Sequence, residues 1–432
     1  MSGVGGAFVE NNYADYTKEA FMMFIRMKKK GLALFAMLCA FSAVVFMNGS
    51  AYAAQSCLPS GGATIKIDDT AYMRINYQFQ LYGAWRDTGS GPAGTDATTD
   101  FFFRRNRLTV SGVATDKLSY ILMLEHSGDR KIAPVEVVDE AVGEFNVLEG
   151  FVIAELSDAV KFNAGKMKIP FMREILEGCF SNLSLDRSLF IYSPYQRSRD
   201  TGVALWGNLL KSKIQYIFSA MDGQESVDAP KSSPRYGGRV HLALLDPEDT
   251  YGYSGTYLGN KMVLTIGAAA QYEPGAAYSD TAAQTGDKDY TAWTADLFFE
   301  YPIGSVGTVT LSGAYLKTDF DGAYTGSNPD PGSVGLDGEK KGWYAKAGYL
   351  HQNKIGPGQI QPYVRFEKWE YAELMTGMYS QKLTWIGGGL NYLINGQNLR
   401  IGLEYSVTDF EDESDPRSKD FTTINTMLQV GF

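Results

Sequence analysis

The stretch AYMRINYQFQLYGAW, residues 71–85, decides the fold. Met73, Ile75, Tyr77, Phe79 and Leu81 fall on one side of an extended chain, and Arg74, Asn76, Gln78 and Gln80 fall on the other. A period of two with unlike faces is the pattern of a strand that meets two different environments. The same alternation returns in segments of about ten residues down to the last residue, the repeat length of a strand that crosses a bilayer at a tilt. Further strands are expected near 102–114, 117–126, 147–156, 160–168, 200–209, 212–222, 235–245, 261–272, 290–301, 307–319, 341–351, 359–370, 381–393, 398–408 and 420–432. That makes about sixteen, an even number, as a closed single-chain bacterial barrel requires.

The links between these segments alternate in length. Short ones at 114–116, 157–159, 209–211 and 395–396 take turns with longer polar ones near 86–101, 127–146, 169–199, 273–289, 320–340 and 409–419. Short turns at one end and long loops at the other are the asymmetry of an outer-membrane barrel. One link breaks the rule: 246–260 should be a short turn and is long. The expected fold is therefore an all-β, transmembrane antiparallel β-barrel whose polar faces line a lumen.

Composition agrees by being unremarkable. A hydrophobic content of 44% and a mean hydropathy of −0.19 are those of a soluble protein. Alternating lipid-facing and lumen-facing residues average to such values. Aromatic residues make up 13%, which suits girdles of rings at two interfaces. The net charge of −10 argues against a nucleic-acid partner.

The N-terminus supplies the address. Lys28, Lys29 and Lys30 precede an apolar run over 31–47, and Ala51-Tyr52-Ala53 follows. Basic, apolar and A-x-A segments in that order form a secretory signal peptide over 27–53, cut after Ala53 or Ala54. The run is shorter than the ~20 residues of a transmembrane helix. Residues 1–26 read as neither signal nor domain, which points to a start at Met27. Residues 54–70 form a periplasmic lead, and 71–432 the barrel. Cys57 lacks the large aliphatic residue that a lipidated cysteine has three positions before it. Cys57 and Cys179 are the cysteines left after cleavage; the periplasm permits a bridge, and nothing in the sequence brings them together.

Catalysis finds no support. The three histidines, His126, His241 and His351, lie far apart and none stands at metal-ligand spacing. No nucleophile elbow or phosphate-cradling loop is present. No cofactor and no metal are expected.

The C-terminal segment, with Thr422, Ile424, Thr426, Leu428, Val430 and Phe432 in one register, resembles the last strand of bacterial outer-membrane proteins. That resemblance makes Phe432 the signal for the barrel assembly machinery. A more specific likeness lies upstream. Phe103-Arg104-Arg105-Asn106-Arg107-Leu108 with Gly112, then Gly165-Lys166-Met167-Lys168-Ile169-Pro170-Phe171, Leu185-Asp186-Arg187-Ser188 and Tyr236-Gly237-Gly238-Arg239-Val240 resemble, in order and spacing, the landmarks of the phosphate-selective porin O and P family. The resemblance spans essentially the whole mature chain.

The family implies a sixteen-stranded, usually trimeric outer-membrane porin that passes small anions along lumen arginines and lysines without energy coupling. It also implies that the loop after a strand ending in Pro-Phe folds inward as a constriction. Here that loop, 169–199, carries Arg173, Arg187, Arg197 and Arg199 beside Glu174, Glu177, Asp186 and Asp200. Read from its residues alone, it is either a charged constriction or a solvated outer loop laced with weak ion pairs. Parity assigns Arg74, Arg105, Arg107, Arg235 and Arg239 to the lumen face. With Arg173, Arg187 and Arg197 they form the candidate anion path, since guanidinium forks suit phosphate-like oxygens. Lys166 and Lys168 share parity with Phe162 and Ala164 and are expected at the rim. Asp296, Glu300, Glu367 and Glu404 also have lumen parity, and acids outnumber bases in the second half of the chain. Three readings stay open: an anion porin for phosphate or related oxyanions, a general hydrophilic-solute porin, and a structural sleeve of a multiprotein conduit. The expected partners are small inorganic anions, outer-membrane lipid, the assembly machinery and two further copies of the chain, in the outer membrane of a Gram-negative bacterium.

Overall fold

The computed structural model describes residues 61–126, 145–188, 198–223, 229–280, 283–319, 339–372, 380–413 and 419–432. The strands are β1 (Ala63–Lys66), β2 (Tyr72–Ser90), β3 (Asp96–Thr115), β4 (Leu118–His126), β5 (Phe145–Ser157), β6 (Val160–Lys168), β7 (Arg199–Leu209), β8 (Ile214–Met221) and β9 (Arg235–Ala243). They continue as β10 (Val263–Asp280), β11 (Thr285–Ile303), β12 (Gly307–Asp319), β13 (Glu339–His351), β14 (Gln359–Ala372), β15 (Ser380–Asn395), β16 (Leu399–Phe410) and β17 (Phe421–Gly431). One short helix among the described residues, α1 (Arg173–Leu176), lies between β6 and β7.

Each strand from β2 to β17 pairs antiparallel with its neighbours in sequence, and β17 returns to β2 in a register from Thr423↔Arg86 to Gly431↔Gln78. Of the 17 strands in the sheet, all but β1 therefore form a closed ring of sixteen. Closure matters because hydrocarbon offers no partner to a free N–H or C=O, and a ring has no edge. Phe432 completes the seam: its N–H donates to Tyr77 O at 3.1 Å, and Tyr77 N–H donates to Phe432 O at 2.9 Å. β1 lies in the periplasmic lead expected over 54–70 and continues beside β2 past the end of β17, with Ala63 opposite Ile75.

The sixteen strands match the sixteen expected from periodicity one for one. The alternation that decides the fold is realised on β2, where Asn76, Gln78 and Gln80 are buried in the interior. Their neighbours Ile75, Tyr77, Phe79 and Leu81 stand partly exposed on the outside. Rings collect at two levels of the outer face. Tyr77, Tyr301, Tyr349, Tyr392 and Phe432 mark the end of the short turns, and Trp85, Phe145, Tyr236, Trp293 and Trp343 mark the other. Two such girdles bracket an apolar belt.

Two expected loops are instead strand. Residues 86–90 and 96–101 extend β2 and β3, and 273–280 and 285–289 extend β10 and β11, as paired strands reaching Ser90↔Asp96 and Asp280↔Thr285. Their polar residues suggested loops because the strands outrun the apolar belt, so alternation there no longer separates lipid from lumen.

The interior holds more apolar residues than a water-filled lumen would need. Tyr290, Leu316, Tyr344, Trp369, Leu383, Trp385, Phe410 and Phe421 point inward and pack with Ile169, Phe171, Met172 and Ile175. Trp369 lies so close over Gly342 that a Cβ there would meet its ring at 1.7 Å. The segment after β6 thus docks on an apolar seat built into the far wall.

Candidate functional site

Residues 169–188 leave β6 at Lys168 and cross the lumen, so the reading as an inward constriction loop holds and the solvated outer loop does not. Nearly every residue of the segment is buried. Its first turn meets β9–β11: Asp296 on β11 accepts the Arg173 backbone N–H at 3.0 Å, and Arg239 on β9 donates to Phe171 O at 2.9 Å and to Asp296 at 2.6 Å. Glu174 pairs with Lys346 on β13. The far end reaches the opposite seam. There Arg400 donates to Asn182 O at 2.7 Å, Asn391 to Leu183 O at 2.8 Å and Gln429 to Phe180 O at 3.0 Å. Asp186 is held between Arg104 and Arg105 of β3, the latter at 2.9 Å.

A second segment meets the first from the opposite mouth. The anomalous link 246–260, between β9 and β10, folds into the lumen rather than lying below it. Glu300 on β11 anchors it by accepting from the N–H groups of Tyr257 and Gly259 and from the Thr256 hydroxyl, at 2.8–3.0 Å. The two segments join through their backbones: Gly178 N–H donates to Tyr253 O at 2.8 Å, and Tyr253 N–H to Leu176 O at 3.1 Å. Glu248 then grips the Arg173 guanidinium bidentately, with both contacts at 2.6 Å. Arg173 is wholly buried, with Glu177 at 3.1 Å and the Phe298 ring 3.9 Å from its carbon centre. The constriction is built from both sides and is tied together at Arg173.

The expected path residues take different places. Arg105 and Arg107 face the lumen, Arg105 bonded to Gln80 at 2.6 Å and Arg107 paired with Glu125 at 2.7 Å. Arg235 and Arg239 face it too, paired with Glu273 and Asp296. Arg74 has the same parity but stands exposed at the short-turn rim. Arg187 donates to Glu177 O at 2.6 Å and to Cys179 Sγ at 3.1 Å. Arg197, like Cys57, lies outside the described residues. Of the acids with lumen parity, Glu367 and Glu404 bind Arg365 at 2.7 and 3.8 Å.

Parity put two of the lumen cations, Arg104 and Lys168, elsewhere. Arg104 points inward together with Arg105 because a bulge between Gln80 and Leu81 on β2 opposes an extra residue on β3. A signal for it exists: Phe101 and Phe103 are outward on odd positions while Leu108 and Val110 are outward on even ones, so an insertion must lie between. Lys168, expected at the rim, is buried and donates to Leu176 O at 3.1 Å and Glu177 O at 2.7 Å. Alternation breaks at Gly165, whose φ of 130° few other residues adopt and whose Cβ would meet Gly150 O at 2.2 Å.

The charges separate by wall. Around Cys179, on β3–β7 and the loop end, Arg104, Arg105, Arg107, Lys168, Arg187 and Arg199 face Glu125, Glu149 and Asp186. Across the lumen, Glu248, Glu273, Asp296 and Glu300 match or exceed the bases near them.

A closed sixteen-stranded barrel with ringed girdles, narrowed at mid-height by an inward loop, is an outer-membrane porin. The chain belongs to the phosphate-selective porin O and P family, whose model matches residues 75–432. It is 24% identical over 367 residues to an uncharacterized protein of Aquifex aeolicus, an alignment that takes in 77% of this chain and 81% of that one. Similar solved structures are an anion-selective porin from Comamonas acidovorans (12% identity, 84% of this chain and 100% of that one, TM-score 0.53) and the OmpF of Salmonella typhi in complex with daunomycin (14%, 85% and 100%, 0.55). A third is the outer membrane channel DcaP of Acinetobacter baumannii (14%, 84% and 97%, 0.50). At these identities they speak for the fold. The short-turn end is thus periplasmic and the long-loop end extracellular.

Proposed function

We infer that this porin passes small anions, phosphate or a related oxyanion among them, and that the β3–β7 wall is their path. The observation that carries this reading is the cluster about Cys179. Arg104 and Arg105 share one carboxylate, Asp186, while Arg187 and Lys168 bind backbone carbonyls and a thiol. Cations there outnumber carboxylates, and a low-dielectric lumen magnifies the difference. Arg105, Arg107 and Arg187 form the core of the path, with Arg104 and Arg199 beside them. Arg235, Arg239 and Arg173 hold the opposite wall and the loop in place, and Arg74 meets anions at the periplasmic rim. The barrel assembles as a homotrimer, is handed to the assembly machinery through Phe432, and carries no cofactor.

A general porin is the second reading. It is favoured by the pairing of Arg107, Arg199, Arg235 and Arg239 with carboxylates, which leaves a transverse field rather than a uniform anion filter.

The test is phosphate competition in single channels. Phosphate added to a chloride bath reduces the chloride current of the wild-type protein, and the reduction weakens in Arg105→Gln/Arg107→Gln. A chloride current indifferent to phosphate in both proteins would leave the general porin.

A further inference from the structure

The seam between β17 and β2 closes the barrel, and the residues along it admit a second register. β2 repeats itself every two residues there: Asn76, Gln78 and Gln80 face inward, and Tyr77, Phe79 and Leu81 face outward. On β17, Gln429 bonds Gln80 at 2.6 Å, and Leu428 and Val430 lie opposite Leu81 and Phe79. A shift of β17 by two residues toward the periplasm would set Gln429 against Gln78, Leu428 against Phe79 and Phe432 against Ile75. Each exchange is amide for amide or apolar for apolar. The unlike faces forbid a shift of one residue but not a shift of two. The link before β17, residues 411–420, is too long to fix the register as a tight hairpin turn does.

β1 occupies the edge that the shifted strand would need. Ala63 lies opposite Ile75, Thr64 opposite Arg74 and Lys66 opposite Tyr72, while β3 holds the other edge of the same residues. β1 and β17 therefore share one edge of β2 and meet end to end at Asn76. Its buried side-chain amide donates to Gly61 O at 3.1 Å and to Phe432 O at 3.3 Å. Gly62 fits this junction because it has no side chain: its φ is 91°, and a Cβ would meet Asn76 Nδ2 at 2.5 Å and Ile75 O at 2.6 Å. A tight turn then returns the chain to β2, with Asp68 accepting from the N–H groups of Thr70 and Ala71 at 2.8 and 2.6 Å. β1 and β2 are close in the chain, whereas Gln80 and Gln429 are 349 residues apart. Loop closure favours the local pair, so β1 is on β2 before β17 arrives.

We propose that β1 is a register stop: it fills the β2 edge below Phe432, so that the barrel closes with β17 paired down to Tyr77 and no further. All four residues of β1 are exposed, so its contribution lies in the edge it occupies and not in a core it builds. The register of the last pairing sets the stagger of the whole ring, which gives a short periplasmic strand a hold over the shape of the lumen.

The test reads the seam register by cysteine crosslinking in the full chain, in a Cys57→Ser/Cys179→Ser background. Leu81→Cys/Leu428→Cys reports the register of the structure, and Phe79→Cys/Leu428→Cys reports the shifted one. Both are counted only in protein that migrates as folded barrel on unheated gels. Removal of residues 61–66 should raise the shifted crosslink about tenfold against the native one, the effect of one or two hydrogen bonds lost from the stop. Gly62→Val, which displaces β1 without deleting it, moves the ratio the same way. Gly94→Val is the control: its φ is 68°, but a Cβ there meets nothing within 4 Å, and the ratio stays at the parent value. A ratio unchanged by removal of residues 61–66 would overturn the stop, even where less folded barrel is recovered. So would an equal shift in Gly94→Val, because the seam would then answer to any strained glycine.

Discussion

The two long walls of the lumen differ in what their polar residues bind. On β3–β7 the guanidiniums crowd one another around Cys179, with few carboxylates between them. On β9–β16 the inward side chains are committed to the two segments that cross the lumen. Glu300 holds the periplasmic link, Asp296 and Lys346 hold α1, Arg400 and Asn391 hold the loop end, and aromatic rings seat its apolar residues. One wall anchors both crossing segments; the other holds only the loop end, through Arg104, Arg105 and Lys168, and gathers more cations than carboxylates. Inward polarity alone therefore does not identify a permeation path; the balance of cations and carboxylates on each wall is what separates the two.

The division predicts that lesions in the anchor wall cost stability, while lesions in the basic wall cost selectivity. The largest effect belongs to the tie between the two crossing segments. Glu248→Ala leaves Arg173 buried without its bidentate partner and should destabilise the barrel by about 3–5 kcal/mol. This would be read as a lower unfolding midpoint in detergent, with most of the loss recovered in Arg173→Met/Glu248→Leu. An unchanged midpoint in Glu248→Ala would mean the crossing segments are not joined there. Next comes the apolar seat. Gly342→Val forces Trp369 aside and should cost about 1–3 kcal/mol by overpacking, together with noisier single-channel current as Phe171 and Ile175 loosen. Quiet, wild-type current would break the link between seat and loop. Glu300→Gln weakens the carboxylate that gathers Tyr257, Gly259 and Thr256, for about 1–2 kcal/mol. It should raise conductance modestly from the periplasmic side and leave ion preference alone. Smallest in stability is Arg105→Gln, which keeps a polar group beside Gln80 and Asp186. Its midpoint should move by less than about 1 kcal/mol, in the range of an ordinary hydrogen bond, while its anion preference falls. A selectivity change in Glu300→Gln larger than in Arg105→Gln would reverse the assignment of the walls.

Much of this was legible from residues alone. Strand positions followed from a period of two and the last strand from the register that ends on Phe432, whereas the charged stretch after Pro170-Phe171 read equally as constriction or outer loop until the family resemblance was added. The misses share a cause. Parity counting assumes unbroken alternation, and it fails where a bulge at Arg104 or a positive φ at Gly165 shifts the phase. It also assumes that apolar means lipid-facing, so Trp369, Trp385, Tyr344 and Phe410 could not announce themselves as the seat of a loop distant in sequence. The link 246–260 declared itself only by its length; its role depends on Tyr253 and Glu248 meeting Leu176 and Arg173 across about 75 residues of chain. Neutralisation of Arg235 and Arg239 by Glu273 and Asp296 likewise needs the register of β9, β10 and β11.

The central claim, that the β3–β7 wall sets the charge preference of the pore, is tested most directly by the reversal potential of the purified wild-type channel in a planar bilayer under a potassium chloride gradient. The account predicts a potential of the sign for chloride preference, moving toward zero in Arg105→Gln/Arg107→Gln and unmoved in Glu300→Gln. A wild-type potential at zero or of the potassium sign would contradict it and give the lumen to its acidic wall.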